Sequence, residues 1–186
     1  MTLNIAVFLG SRDSNNKKCL MLIDDFAKWF SSENFNLIFG GNETGLMGKL
    51  AKNVLKNNCK VTSIFTMNLY KKSKNLKFFS ELIIAEDISS RSSIIFERAD
   101  LFIALPGGIG TMYEVLEVIN KNMLKEINKK IFLINDSSFW NPFKDLIDHL
   151  IKNNLLKEKD IKKNLKICRL KDLQLELKKI NAENSS

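Results

Sequence analysis

Short apolar runs alternate with longer amphipathic segments along most of the chain. Runs that are apolar at consecutive positions are typical of buried strands, whereas apolar residues repeating every three to four positions are typical of helices. Strands are predicted at residues 4–9, 36–39, 60–65, 82–85, 101–105, 130–135 and 165–168. Helices are predicted at residues 15–30, 45–57, 88–98, 111–125, 139–154 and 171–180.

The alternation of strands and helices predicts an α/β fold in which helices cover both faces of one parallel sheet. The runs at 5–9 and 101–105 are apolar throughout, as strands buried in the middle layer must be. We expect six or seven strands in one doubly wound domain spanning residues 1–180, followed by a frayed tail at 181–186. Ligands of such sheets bind beyond the carboxyl ends of the strands, near the point where the strand order reverses.

The composition is that of a globular protein. Hydrophobic residues make up 45% of the 186 residues and charged residues 27%, which argues against disorder. No apolar run approaches the roughly 18 residues that cross a bilayer, and the N-terminus lacks the basic segment of a signal peptide. The cysteines Cys19, Cys59 and Cys168 are widely spaced. We therefore expect free thiols, a cytoplasmic location and no membrane partner.

The net charge of +8 suggests nucleic-acid binding at first sight. Only four of the 29 basic residues are arginine, however, and the lysines accompany 21 asparagines and 20 isoleucines. An AT-rich coding sequence produces that enrichment without selection for a partner. Because basic and acidic residues alternate at helical spacing near the C-terminus, we interpret the charge as solvated helix surface and expect no nucleic-acid partner. A positive field can still concentrate a small anionic substrate.

The single histidine, His149, limits the available chemistry. Metal sites built from several histidines are excluded, and a Ser-His-Asp relay would have to use His149 itself. This residue lies in the amphipathic segment 143–152, where a surface histidine on a helix is the simpler interpretation.

All eight glycines lie near the ends of three predicted strands. Gly10 follows the first strand, the second strand is followed by glycines at 40, 41, 45 and 48, and the fifth by glycines at 107, 108 and 110. A glycine turn that opens a helix presents unpaired N–H groups and the positive end of the helix dipole, which suits a phosphate. Three such turns at one sheet edge predict a nucleotide cradle.

Two common nucleotide motifs are absent from these turns. Leu46-Met47 stands where a Walker motif requires Lys-Ser/Thr, and Gly10-Ser11-Arg12-Asp13 does not continue as GxGxxG. A kinase, an ATPase and an NAD enzyme are therefore disfavoured.

Two of the turns resemble those of a known family. Residues 106–114, Pro-Gly-Gly-Ile-Gly-Thr-Met-Tyr-Glu, match the PGGxGTxxE signature of the Lonely Guy (LOG) family, the cytokinin riboside 5′-monophosphate phosphoribohydrolases. Residues 40–48 are similar to that family's GGGxxGLMG turn, and Gly10-Ser11 matches the start of its first phosphate-side loop. The order and spacing of these motifs agree with those of the family from about residue 4 to about residue 150.

The resemblance implies a Rossmann-like homodimer that hydrolyses the N-glycosidic bond of a nucleoside 5′-monophosphate to free base and ribose 5-phosphate, without a cofactor or a metal. The family's essential arginine and glutamate are 23 positions apart and correspond to Arg91 and Glu114, the predicted catalytic residues. The predicted substrate-binding residues are Gly10, Ser11, Gly40, Gly41, Thr44, Gly45, Gly107, Gly108, Gly110 and Thr111. Secondary candidates are Glu117, Arg12 and Arg98.

The two predicted catalytic residue types suit this chemistry. Glycoside cleavage develops positive charge on the sugar, which a carboxylate such as Glu114 can stabilise while it orients or deprotonates the attacking water. Arg91 does not readily release a proton, so its predicted role is to hold the substrate and orient Glu114.

The chain departs from the family pattern at three positions. Ser92 stands where the family usually has a lysine, Asn42 replaces the third glycine of the second turn, and Tyr113 replaces the first acid of a Glu-Glu pair. The alternative function is a non-catalytic carrier of a nucleotide or molybdenum cofactor on the same fold. The lysine decarboxylase label often given to this family has no support here, because no Ser-x-x-His-Lys motif for pyridoxal phosphate is present. Whether the substrate is AMP or a cytokinin nucleotide stays open.

Overall fold

The computed structural model describes residues 2–73 and 79–183, with side chains described as far as residue 179. The strands of the described chain are β1 (Asn4–Phe8), β2 (Asn36–Phe39), β3 (Val61–Thr66), β4 (Glu81–Ala85), β5 (Leu101–Ala104), β6 (Ile131–Ile134) and β7 (Leu165–Cys168). The helices are α1 (Lys17–Ser32), α2 (Gly45–Lys56), α3 (Met67–Lys72), α4 (Ile88–Arg98), α5 (Ile109–Met123), α6 (Asn141–Lys152), α7 (Glu158–Lys162) and α8 (Leu170–Glu183).

In the described chain, one sheet joins all seven strands in the order β4-β3-β2-β1-β5-β6-β7. Every neighbouring pair is parallel, with Ala6 opposite Ile38 on one side of β1 and Phe102 on the other. The chain moves outward from β1 to β4 and then crosses back to β5 beside β1. The predicted doubly wound parallel sheet is confirmed, and its strand order reverses between β1 and β5.

Two apolar clusters fill the space between the sheet and its helices. On one face, side chains of α1, α2 and α8 pack on the sheet around Phe26, Leu50 and Leu173. On the other face, α4, α5, α6 and α7 pack around Val115 and the fully buried Trp140. Because both faces of the central strands are covered, their runs are apolar at every position. The predicted three-layer arrangement is therefore confirmed.

Two short helices, α3 and α7, lie outside the predicted helix segments, although the alternating charges at 157–163 were interpreted as helix surface. No side chain of α3 is buried, and Ile161 alone is buried in α7, so neither has the repeated apolar spacing that identifies a helix in a sequence. Helix α8 continues to Glu183, into the segment predicted as a frayed tail, and residues 184–186 of that segment lie outside the described residues. None of the described helices is long and apolar enough to span a membrane.

Candidate active site

The three glycine turns lie together, as predicted, because β2, β1 and β5 are neighbours in the parallel sheet. The Gly10 N–H donates to the Pro106 carbonyl at 3.1 Å, which joins the turn after β1 to the turn after β5. A β-carbon at Gly10 would lie 3.5 Å from the Gly107 Cα. The two turns therefore form one continuous surface at the switch point of the sheet.

The turn after β2 closes against the same surface. The Met47 N–H donates to the Gly10 carbonyl at 3.1 Å, which joins the first turn of α2 to the turn after β1. Gly45 has a φ of +63°, and a β-carbon there would lie 2.5 Å from the Ser11 carbonyl oxygen. Glycine is thus required at position 45 both by the backbone conformation and by the close approach of Ser11.

Asn42 connects these turns through its side chain. Its Nδ2 donates to the Ser11 carbonyl at 3.1 Å, and its Oδ1 accepts from the Thr44 N–H and hydroxyl at 3.3 and 3.1 Å. Asn42 is not one of the residues with positive φ, whereas Gly41 has a φ of +81°. The turn therefore tolerates the loss of the family's third glycine without placing asparagine in the left-handed region.

The turn after β5 presents an open helix N-terminus. Gly108 caps α5 without a side-chain hydrogen bond, and a β-carbon at Gly108 or Gly110 would meet no other atom within 4 Å. Gly107 instead packs tightly on the buried Thr111. The unpaired N–H groups of this first turn and the helix dipole favour an anion in the open space.

Arg91 and Glu114 form a largely buried ion pair beside that helix N-terminus. The Arg91 Nη2 donates to Glu114 Oε1 at 2.8 Å, and the two side chains are 14% and 12% exposed. Helix α4 carries Arg91 and the second turn of α5 carries Glu114. Gly40 covers the guanidinium so closely that a β-carbon there would collide with it. The residues predicted to be catalytic are thus in contact.

Burial raises the pKa of Glu114 to about 7. The Arg91 guanidinium opposes this rise, and the neighbouring Glu117 carboxylate adds to it. A carboxyl group that titrates near neutral pH can exchange a proton with a reactant under physiological conditions. The Arg91 Nε is buried and has no hydrogen-bond partner in the described part of the chain.

The three secondary candidates lie in different parts of the fold. Glu117 lies one turn beyond Glu114 on α5 and accepts a 2.8 Å hydrogen bond from the Ser92 hydroxyl, a contact that the sequence analysis missed. Arg12 is exposed in the loop after β1. Arg98 lies at the far end of α4, where it pairs with Glu81 at the start of β4, at 2.6 Å. Arg98 is therefore at the opposite edge of the sheet from the glycine turns.

The lone histidine takes no part in this arrangement. His149 is exposed near the C-terminal end of α6, and its ring Nε2 lies 3.4 Å from the Asn153 amide. The interpretation as a surface histidine is consistent with this placement.

Comparison with known proteins identifies the family. Residues 47–176 match a family model described as "Possible lysine decarboxylase". The LOG5 cytokinin riboside 5′-monophosphate phosphoribohydrolase of Arabidopsis thaliana is 31% identical over 154 residues, which cover 82% of this chain and 67% of LOG5. The chain belongs to the LOG family. Its predicted membership is thus confirmed over most of its length.

Other relatives bear similar names. The chain is 31% identical to a probable LOG4 enzyme of Oryza sativa subsp. japonica, covering 82% of this chain and 66% of that protein. It is 29% identical to the cytokinin riboside 5′-monophosphate phosphoribohydrolase of Rhodococcoides fascians, covering 78% and 74%. This LOG-family chain therefore spans about two thirds of the length of the plant relatives and three quarters of the bacterial one.

Solved structures show that the fold is shared more widely. A molybdenum cofactor binding protein from Rippkaea orientalis superposes with a TM-score of 0.65 at 20% identity, covering 98% of both chains. The molybdenum cofactor carrier protein of Chlamydomonas reinhardtii gives a TM-score of 0.69 at 14% identity, covering 98% of this chain and 99% of that one. At these identities the likeness concerns the fold alone.

Proposed function

We propose that this LOG-family protein hydrolyses the N-glycosidic bond of a nucleoside 5′-monophosphate, either AMP or a cytokinin riboside 5′-monophosphate. The largely buried Arg91–Glu114 pair carries the proposal, because it sets a carboxyl group with a near-neutral pKa beside an open helix N-terminus. The names of the plant and bacterial relatives support the same reaction.

The three glycine turns at the switch point of the sheet bind the 5′-phosphate. The open space over Gly108 and Gly110 admits phosphate oxygens against the first N–H groups of α5. The exposed Ser11 borders the turns joined through Asn42 and supplies a further hydroxyl donor, while the exposed Thr44 lies beside it with its hydroxyl bonded to Asn42. Phosphate held there supplies binding energy that positions the ribose for cleavage.

Hydrolysis then needs one carboxylate and one bound water. The water oxygen forms a bond to the anomeric carbon as the bond from that carbon to the base nitrogen breaks, and the bonding electrons leave with the base. Glu114 accepts the proton of the water and balances the positive charge on the sugar. The departing base takes a proton from solvent. Arg91 stays protonated, orients Glu114 and donates to ribose hydroxyls or phosphate.

The proposed enzyme is a homodimer. Four side chains of α5 line one side of the helix and are exposed in the single chain: Ile109, Tyr113, Leu116 and Met123. Their spacing places them in one row along the helix, here called the α5 apolar stripe. Exposed apolar rows of this kind are characteristic of interfaces between subunits. Because the stripe starts beside Gly108 and includes the neighbour of Glu114, a second subunit would border the site.

The experiment is to incubate the protein with AMP and separate the products by chromatography. Adenine and ribose 5-phosphate should appear in equal amounts, whereas adenosine, which lacks the phosphate, should be a poor substrate. Binding of nucleotides without release of base from AMP or any cytokinin monophosphate would overturn the proposal and leave a carrier.

A further inference from the structure

Ser92 and Glu117 form a second polar contact directly beside the Arg91–Glu114 pair. Ser92 follows Arg91 on α4, and its buried hydroxyl donates to Glu117 Oε2 at 2.8 Å. Glu117 is three positions after Glu114 on α5, so both side chains project from the same side of the helix. The two helices are thus joined by two parallel contacts, one ionic and one through a neutral donor.

The two contacts join two carboxyl groups to only one positively charged side chain. Charged side chains near the two carboxylates include Arg91 from α4 and Lys121 from α5, the titratable Tyr113 of α5 lies near Lys121, and the covering turn contributes the uncharged Gly40. Arg91 bonds to Glu114, and Lys121 pairs with Glu126 at 2.7 Å. Ser92 fixes Glu117 through a neutral donor, so this contact brings no positive charge to the carboxyl group beside Glu114.

We propose that Glu117, fixed by Ser92, is a positioning residue whose charge keeps the Glu114 carboxyl protonated to a higher pH than Arg91 alone would allow. The inference rests on the proposed function only for its catalytic consequence. Two nearby carboxylates disfavour each other's ionised form, and partial burial strengthens that effect. The Glu114 carboxyl therefore becomes ionised, and able to accept a proton, only as the pH approaches neutrality.

The test measures the Glu114 titration directly, without requiring activity. Carbon-13 side-chain carboxyl spectra are recorded from pH 4 to pH 9, and the Glu114 signal is assigned by its loss in Glu114→Gln. In Glu117→Gln the midpoint should fall by roughly half a pH unit or more, because the repulsive charge is gone. Ser92→Ala should lower the midpoint by less, since Glu117 can then turn towards solvent.

Two matched variants control for nonspecific effects. Ser93→Ala removes the adjacent exposed serine, whose hydroxyl bonds to the Ser89 carbonyl, and Glu97→Gln removes an exposed carboxylate of the same helix. Both should leave the Glu114 midpoint unchanged. An unchanged midpoint in Glu117→Gln, or in Ser92→Ala if Glu117→Gln does not fold, would overturn the inference.

The same variants separate this inference from the proposed enzyme activity. If base release is measurable, the acidic limb of its pH profile should move with the Glu114 midpoint in Glu117→Gln and stay in place in Glu97→Gln. If the midpoint moves but no variant releases base, the inference stands and the proposed function fails.

Discussion

The Arg91 guanidinium and the Glu114 carboxylate come from two different helices and meet at 2.8 Å with both side chains largely buried. Burying a charged pair costs solvation energy that the contact only partly returns. At Glu114 the cost of burial exceeds the attraction of the guanidinium, because its pKa rises to about 7 although Arg91 bonds to it. Such a pair is better explained by chemistry at the site than by a contribution to stability.

The first prediction concerns pH. If Glu114 must be ionised to accept a proton, kcat/KM for AMP should be constant above about pH 7 and fall tenfold for each pH unit below it. Initial rates of adenine release between pH 5 and pH 9 measure this. A profile that stays level down to pH 5 would show that the ionisation of Glu114 does not control the reaction.

The second prediction concerns stability. The ordinary pKa of glutamate is 4.5 and that of folded Glu114 is about 7, so the folded state binds this proton more tightly than the unfolded state. The stabilisation is complete below about pH 4.5 and is lost as the pH rises through 7. Glu114→Gln, which mimics the neutral acid, should therefore be more stable than the parent at pH 8 by about 1 to 3 kcal/mol.

Denaturant unfolding at pH 8 and pH 5 measures that difference. The stability gained from glutamine should shrink towards zero at pH 5, where the folded parent is itself protonated. Equal stabilities of the two proteins at pH 8 would contradict the raised pKa.

The third prediction separates two glycines. Gly108 has a φ of −95° and open space around it, whereas a β-carbon at Gly40 would collide with Arg91. Gly108→Ala should keep the melting temperature and weaken AMP binding about tenfold, because its methyl group occupies the phosphate space. Gly40→Ala should lower the melting temperature. Calorimetric titration and thermal unfolding measure the two effects, and undiminished AMP binding by Gly108→Ala would place the phosphate elsewhere.

The fourth prediction concerns the α5 apolar stripe. Leu116→Lys should convert the proposed dimer into a monomer, because a buried lysine without a partner is costly at an interface. Leu146→Lys on α6 is the matched control, since the two leucines are 49% and 50% exposed. Light scattering after size-exclusion chromatography measures both. A parent protein that is already monomeric, or a dimeric Leu116→Lys, would contradict the proposed interface.

The sheet and the meeting of the glycine turns were predictable because they depend on local patterns. Strands β1, β2 and β5 are apolar at consecutive positions, and parallel strands end at the same edge, so Gly10, Gly40 and Gly107 had to share that edge once these strands were neighbours. Helix α3 was not predictable, because none of its side chains is buried, and α7 left only the charge alternation of a helix surface, because it buries one residue.

The side-chain contacts of the site were only partly predictable. The family spacing identified Arg91 and Glu114, but their ion pair depends on how α4 packs beside α5. The Ser92–Glu117 bond depends on the same packing and has no signal in the sequence, where Ser92 appears only as a missing lysine. Arg98 is near Arg91 in sequence but about two helical turns further along α4, which carries it to the other edge of the sheet.

The most direct test of the central claim compares base release by the parent and by Glu114→Gln, each saturated with the same nucleoside monophosphate. The amide keeps the shape of the side chain but cannot accept the proton of the water or balance the charge on the sugar. The rate should therefore fall by roughly two to three orders of magnitude, while the affinity for the nucleotide, measured by calorimetry, changes little. Release of adenine by Glu114→Gln as fast as by the parent would show that Glu114 is not the catalytic carboxylate.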